Sequence, residues 1–402
     1  MAERPYYEAD WEQPFPPEEY AARRTAVARK IGDMGFDAVL VTNPSDLNYL
    51  TGYDMIWFHL TALTSCLLSA DAETVFFDNW GHQTIVETTP EIRDIRWLQD
   101  DSLDAALDTV VTESKARNLA GGKLAVQRWG YSPHADTMKR LTDMLNDAGI
   151  ATGDASFAIQ EVRFRKSPRE IAVMREAARI ADDAMVAARD MLKPGVMETE
   201  IEACIMANMM AAGGGDPGIR CMIGSGPRAG THHSPAQHRR VGTGELVFID
   251  FCSSLHRYHV NLNRTFAVGQ VDPRWHDLME KAAENIDHIV ATVKPGDDWS
   301  AVQWAGDERT DANGIRDYVW YVGGYALGIA MPPDWVGDLW VKPKPPIEDR
   351  KLEPGMVFNF EGQFDDREGW AGGSGAAYIE TFLVTEDDLE VLSTLPRTLA
   401  VV

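Results

Sequence analysis

The strongest constraint on the fold is a segment that occurs twice. "ARDMLKPGVMETEIEACIMANMMAAGG" is echoed 101 residues later by "IVATVKPGDDWSAVQWAGDERTDANG", with Lys-Pro-Gly turns at Lys193 and Lys294. In each copy one helical stretch precedes the turn, another follows it, and a β-rich run comes next. The first run holds "ELVFIDF" and "YHVNLNRTFAVG"; the second holds "GGYALGI", "GMVFNFEGQF" and "AYIETFLVTED". Two α-α-β-β halves predict helices packed outside one curved antiparallel sheet. A site would form where inward-facing residues of both halves converge.

Residues 1–160 read differently. "PPEEYAARRTAVARKIGDMG" is helical and stops at Gly35, "FDAVLVTN" is a short apolar strand, and "SCLLSADAETVFFDN" is a hairpin around "ADAE". Helix–strand alternation continues through "LDAALDTVVTESKARNLAGG", "KLAVQRW" and "HADTMKRLTDMLNDAG", which predicts an α/β domain over 1–160. The second domain, 161–402, opens on a long amphipathic helix. Ser167 is its N-cap, Pro168 its first residue and Glu170 its third, which is a capping box. "GGG" at 213–215 and "GGSG" at 372–375 lack the strand and helix of a dinucleotide site and read as loops.

Composition removes several function classes. Lysine and arginine number 38 against 62 aspartates and glutamates, a net charge of −24, so a phosphate backbone would be repelled. No apolar run has the length of a membrane span, and the acidic N-terminus has no signal-like apolar core. Cys66, Cys204, Cys221 and Cys252 show no CxxC spacing and are expected as reduced thiols of a cytoplasmic protein. The expected partner is a small molecule, not nucleic acid or membrane, and no cofactor is implied.

Four motifs in order resemble the creatinase, prolidase and methionine aminopeptidase family. "GSGPRAGTHHSP" is similar to its SG-x-N-x-x-x-PH segment and places His233 on the histidine. "FID" and "LNRTF" resemble its first metal hairpin, "LEPGMVFNFEGQF" its LxPGMVxxxEPG strand with Glu361 on the glutamate, and "AYIETFLVTED" its last strand with Glu380 on the final glutamate. The resemblance implies a creatinase-type N-terminal α/β domain, then an α+β pita-bread domain with pseudo-twofold αα-ββ halves, in a homodimer. Metal-dependent members hold two ions with two aspartates, a histidine and two glutamates. Here those positions read Asp250, Asn261, Tyr325, Glu361 and Glu380. A neutral amide cannot replace a bridging carboxylate, and a tyrosine of pKa near 10 is a poor ligand for such ions. No catalytic metal is therefore expected. "RYHVNLNRT", "GYALGIAMPPDWVG" and "LTGYD" are most similar to the metal-independent ectoine hydrolase group. Asp250 and Glu361 depart from that group's pattern.

The implied activity is metal-independent hydrolysis of a C–N bond in a small cationic or zwitterionic compound, with ectoine, a cyclic amidine, as leading substrate. A creatinase-like amidinohydrolase, an Xaa-Pro metallopeptidase and a small-osmolyte lyase are the alternatives. Such hydrolysis needs a base or nucleophile, an acid for the departing nitrogen and a holder for developing charge. His233 is the first acid/base candidate. Asp250, Glu361 and Glu380 are expected in one cavity, where mutual repulsion raises a pKa and a cationic substrate supplies the missing charge. Tyr325 would donate to the tetrahedral intermediate. Tyr53, Trp57 and Trp335 are candidates for cation–π contact, against the alternative of ordinary packing. Arg228, Arg257 and His259 are candidate carboxylate anchors, and Asn261 lines the pocket wall.

Overall fold

The computed structural model describes residues 14–58, 63–98, 102–344 and 348–402. The acidic opening segment, 1–13, lies outside them. The chain divides into two compact units, Met1–Arg163 and Phe164–Val402.

The first unit runs α1 (Pro17–Asp33), β1 (Ala38–Val41), α2 (Pro44–Thr51), β2 (Ser65–Ser69), β3 (Thr74–Asn79), α3 (Gln83–Thr88) and β4 (Ile95–Leu98). It continues through α4 (Leu103–Ala116), β5 (Lys123–Val126), α5 (Ala135–Asp147) and β6 (Ala151–Asp154), and α6 (Ala158–Phe164) follows. Its mixed sheet has the order β4-β3-β2-β1-β5-β6. The β2–β3 hairpin turns at "ADAE", where Ala72 takes a φ of 66°. Leu40, Leu67, Phe77, Leu107, Val110, Leu124 and Leu141 fill the core between sheet and helices.

The second unit begins with α7 (Pro168–Met191) and α8 (Glu198–Ala211). The capping box that starts α7 is formed: Glu170 N donates to Ser167 Oγ at 3.2 Å, and Ser167 N donates to Glu170 Oε2 at 2.8 Å. The chain continues through β7 (Met222–Ser225), β8 (Glu245–Leu255), β9 (Tyr258–Val268), α9 (Pro273–Thr292) and α10 (Ala301–Ala312). The last strands are β10 (Val319–Gly323), β11 (Val357–Asp365), β12 (Gly375–Val384), β13 (Leu389–Val391) and β14 (Ala400–Val401). The sheet order is β10-β11-β12-β9-β8-β7, with β13 on β12 and β14 on β9. Neighbours along the main path are antiparallel. The helix pairs α7–α8 and α9–α10 correspond to the two copies of the repeat.

Side chains alternate between the faces of a strand, and cross-strand partners share a face. One face of β8 and β9 carries Val247, Ile249, Phe251, Leu262 and Phe266, which pack with Ala181, Ala184, Met185 and Ile205 of the helices. Phe358, Phe360 and Phe382 pack likewise with Ile286, Ile289 and Val302. The opposite face is polar, yet Asp250, Asn261, Asn263, Asn359, Glu361 and Gln363 on it are all at most 6% exposed. A polar face kept from water is the informative exception to ordinary burial, and it defines the site.

Candidate active site

The buried polar face is laid out in three rows across the sheet. The central row is Asp250, Asn263, Ile379, Glu361 and Gly323, each in register with the next. On one side lie the pairs Cys252–Asn261 and Thr381–Asn359. Asn261 N donates to Thr381 Oγ1 at 3.0 Å, which in turn donates to Asn261 O at 2.9 Å. On the other side lie Phe248–Thr265 and Ala377–Gln363–Tyr321.

Amide side chains join the two carboxylates. Asn261 Nδ2 donates to Asp250 Oδ1 at 2.8 Å and to Phe251 O at 3.2 Å. Asn261 Oδ1 accepts from Asn359 Nδ2 at 2.9 Å, and Asn359 Nδ2 also donates to Glu361 Oε1 at 2.7 Å. Gln363 Nε2 donates to Glu361 Oε2 at 2.6 Å. Tyr325 N donates to Asn359 Oδ1 at 2.9 Å, and Asn359 N donates to Tyr325 O at 3.0 Å. This seating requires Gly324, because a Cβ there would stand 1.9 Å from Asn359 O.

The electrostatics follow from burial. Asp250 is pushed well above the usual carboxylate range by desolvation and by the nearby Glu361 charge, against the opposing Asn261 hydrogen bond. Glu361 is raised by burial, with hydrogen bonds from Tyr325, Gln363 and Asn359 pulling it down. Burial and then the Glu361 charge push the Tyr325 phenol far up, so it stays a neutral donor. Among the described residues neither Asp250 nor Glu361 has an ion-pair partner. Burial and mutual repulsion oppose full ionisation of the pair, and an added cation would favour it.

Several expected residues stand elsewhere. Glu380 is not in the cavity. It lies one position along β12 from the inward Ile379, and a step of one residue reverses the side chain. On the helix-packed face it accepts from Arg264 Nη2 at 2.6 Å and from Arg397 Nη1 at 3.5 Å. His233 is solvent-exposed, with its ring 5.1 Å from that of Trp320. Its neighbour His232 is the buried one, with Nε2 2.7 Å from Asp365 Oδ1. His259 is no anchor: its Nδ1 is 2.8 Å from Arg257 O, and its Nε2 accepts from Gly218 N at 2.9 Å. Both nitrogens are used by backbone in a neutral ring, and burial lowers its pKa to about 4. Arg228 is held by the buried Glu198 carboxylate and by Ser234 and Pro235. Arg257 sits in the β8–β9 turn at a φ of 67°, with its guanidinium 3.4 Å from Asp216 O.

Trp335 is buried, and its Nε1 donates to Tyr325 OH at 3.3 Å. It supports the tyrosine by packing and a hydrogen bond. In the first unit Tyr53 is buried and donates to Asp78 Oδ2 at 2.5 Å, whereas Trp57 is 57% exposed. Asn263, Asn359, Gln363 and Asp365 were not singled out by motif. A signal for three of them existed: "VFNFEGQFD" alternates Asn359, Glu361, Gln363 and Asp365 with apolar residues and glycine.

Residues 172–386 match the model of metallopeptidase family M24, and residues 23–164 match the creatinase/prolidase N-terminal domain. The chain belongs to metallopeptidase family M24. It is 27% identical to an uncharacterised hydrolase/peptidase of Sinorhizobium fredii, over 96% of this chain and 98% of that one. It is 26% identical to the ectoine hydrolase of Halomonas elongata, over 96% of this chain and 98% of that one. The fold is that of the Xaa-Pro dipeptidase of Bacillus anthracis, with a TM-score of 0.79, 20% identity and coverage of 95% and 100%. The chain is therefore a hydrolase of the M24 family with a pita-bread catalytic domain. Its residues do not fit the two-ion centre that the family name implies. Asn261 and Tyr325 replace ligands, Ile379 occupies the inward position of β12, and Glu380 is committed to Arg264. Among the described residues no three His, Cys, Asp or Glu side chains are grouped to hold an ion. Among them, too, no helix is long and apolar enough to cross a membrane.

Proposed function

We propose that this chain hydrolyses a C–N bond of a small cationic or zwitterionic compound without a catalytic metal, with the cyclic amidine ectoine as leading substrate. One observation carries the reading: the buried Asp250–Glu361 pair is joined by neutral amides and, among the described residues, matched by no cationic side chain. An amidinium or guanidinium group supplies that charge. The similarity to the Halomonas elongata ectoine hydrolase over nearly the whole chain supports the same substrate class.

The chemistry needs one acid and one base, and a carboxyl pair that shares a proton provides both. The ionised member takes a proton from water as the water oxygen bonds to the amidinium carbon. The electron pair of the C=N bond moves to nitrogen, which neutralises the amidinium, and the hydroxyl oxygen of the neutral tetrahedral centre accepts a hydrogen bond from the Tyr325 hydroxyl; its own proton leaves to the carboxylate pair as the carbonyl forms. The protonated member then gives its proton to the departing nitrogen as the C–N bond breaks. Trp335 holds Tyr325 in place for this role. The exposed His233 is a rim candidate for guiding substrate, and the functional unit is a homodimer.

The family's name, with the Xaa-Pro dipeptidases among its similar proteins, favours a second reading, an Xaa-Pro metallopeptidase. One experiment separates the two. Ectoine, hydroxyectoine, creatine and Xaa-Pro dipeptides are offered to the purified protein with and without EDTA, with elemental analysis alongside. Turnover of an amidine or guanidine unaffected by EDTA is expected. Two divalent ions per chain with EDTA-sensitive dipeptide cleavage would reject the proposal. Light scattering tests the dimer.

A further inference from the structure

The inner face holds buried polar atoms that nothing among the described residues satisfies. Asn263 is fully buried in the central row between Asp250 and Ile379, yet neither its Oδ1 nor its Nδ2 has a partner. Gln363 is 1% exposed, and its Oε1 has no partner although its Nε2 is bound to Glu361. His232 is 2% exposed; its Nε2 is engaged by Asp365, and its Nδ1 has none. An orphaned buried polar atom costs about 1–3 kcal/mol, so several on one face are a departure that calls for a ligand.

The polarity of these atoms is specific. Gln363 gives its amide hydrogens to the Glu361 carboxylate, which leaves a pure acceptor. His232 carries its hydrogen on Nε2 against the Asp365 carboxylate, which leaves Nδ1 as an acceptor. Asn263 adds one acceptor and one donor. The orphans are therefore three acceptors and one donor, close to two carboxylates. The complement is a ligand with several N–H groups, positive charge and one acceptor oxygen.

We infer that Asn263 and Gln363, with His232 at the outer end, are the specificity-determining residues of the site and select substrates by the N–H groups of an amidinium or guanidinium. This rests on the proposed function and narrows it: charge alone is insufficient, so a quaternary ammonium compound is rejected. A site built to hydrogen-bond a donor discriminates strongly against analogues lacking it, because its acceptors are then left unpaired.

The test is calorimetric binding of acetamidinium and of tetramethylammonium chloride to the full chain and to Gln363→Met and Asn263→Leu. The wild type is expected to bind acetamidinium at least about tenfold more tightly. Each variant is expected to lose most of that preference with its binding of tetramethylammonium unchanged. Thermal melts check that the variants fold, and the wild-type comparison stands without them. Equal binding of the two cations by the wild type overturns the inference, as does a preference that survives both substitutions, which is the result if ordered water fills these positions. If ectoine is nevertheless hydrolysed in either case, the functional reading stands while this inference falls. If neither cation binds and only dipeptides are cleaved, both fall.

Discussion

Asn261 donates a hydrogen bond to Asp250 across the β8–β9 hairpin at 2.8 Å, at the position where metal-dependent relatives would carry a second carboxylate. The exchange of a carboxylate for an amide changes more than the charge. An amide both donates and accepts, so Asn261 satisfies Asp250 with its nitrogen and receives Asn359 with its oxygen. The result is a neutral relay between Asp250 and Glu361.

Asn261→Asp should therefore destabilise the fold. The new carboxyl would face Asp250 with no counter-charge and would lose the donor that Asp250 requires. The expected loss is about 3 kcal/mol at pH 8. A carboxyl raised by this repulsion is tolerated while protonated, so the loss is smaller at pH 5 than at pH 8: it grows as pH rises above the unfolded value of about 3.9 and levels off above the raised one. Urea midpoints of variant and wild type at both pH values test this. Added Mn²⁺ should not restore stability, because Tyr325 and Ile379 supply no further ligand.

Glu361→Gln and Glu380→Gln should separate chemistry from stability. Glu361 lies in the site, and its replacement removes a carboxyl that would exchange a proton, lowering kcat/KM by about 10²–10⁴-fold. Glu380 instead balances Arg264, which is only 3% exposed, on the helix-packed face. Its replacement leaves a buried cation uncompensated and should cost about 3–5 kcal/mol. Urea unfolding should shift strongly for Glu380→Gln. At temperatures where that variant remains folded, its kcat/KM should stay within a few-fold of wild type.

The contrast between these glutamates shows how far a sequence motif reaches. The repeat and the four ordered motifs were sufficient for the sheet, the helix pairs and the capping box at Ser167, because each is a local or periodic signal. The facing of a strand residue is less secure, since one position along β12 exchanges Glu380 for Ile379. His232 and His233 illustrate the same point in a turn: both types were available, and packing against Phe248 and Asp365 brought the first inward. Gln363 and Asn359 were legible from the two-residue period of their strand. The partners of Arg228 and His259 were not, because they depend on Glu198 and Gly218, which tertiary folding brings close.

Cation binding should release protons. Burial raises both Asp250 and Glu361 in the free protein, which favours a proton bound to the pair. A bound amidinium favours the fully ionised pair and expels it. Calorimetry of ectoine binding in buffers of different ionisation enthalpy should show release of up to about one proton per site. Asp250→Asn should abolish the release and weaken binding, and a release that persists in that variant would remove the pair as its source.

His259 should set part of the acid limit of stability. The ring is buried and neutral, donating to Arg257 O and accepting from Gly218 N. Its folded pKa of about 4 lies below the ordinary value of 6.5, so folding favours the unprotonated ring. The contribution is complete above pH 6.5 and is lost as pH falls toward 4, about 3 kcal/mol in all. Urea midpoints measured between pH 7 and pH 4 should fall more steeply for the wild type than for His259→Gln. The glutamine can offer an N–H to Arg257 O and an oxygen to Gly218 N, and it does not titrate. Parallel slopes for the two proteins would show that other groups govern the acid transition.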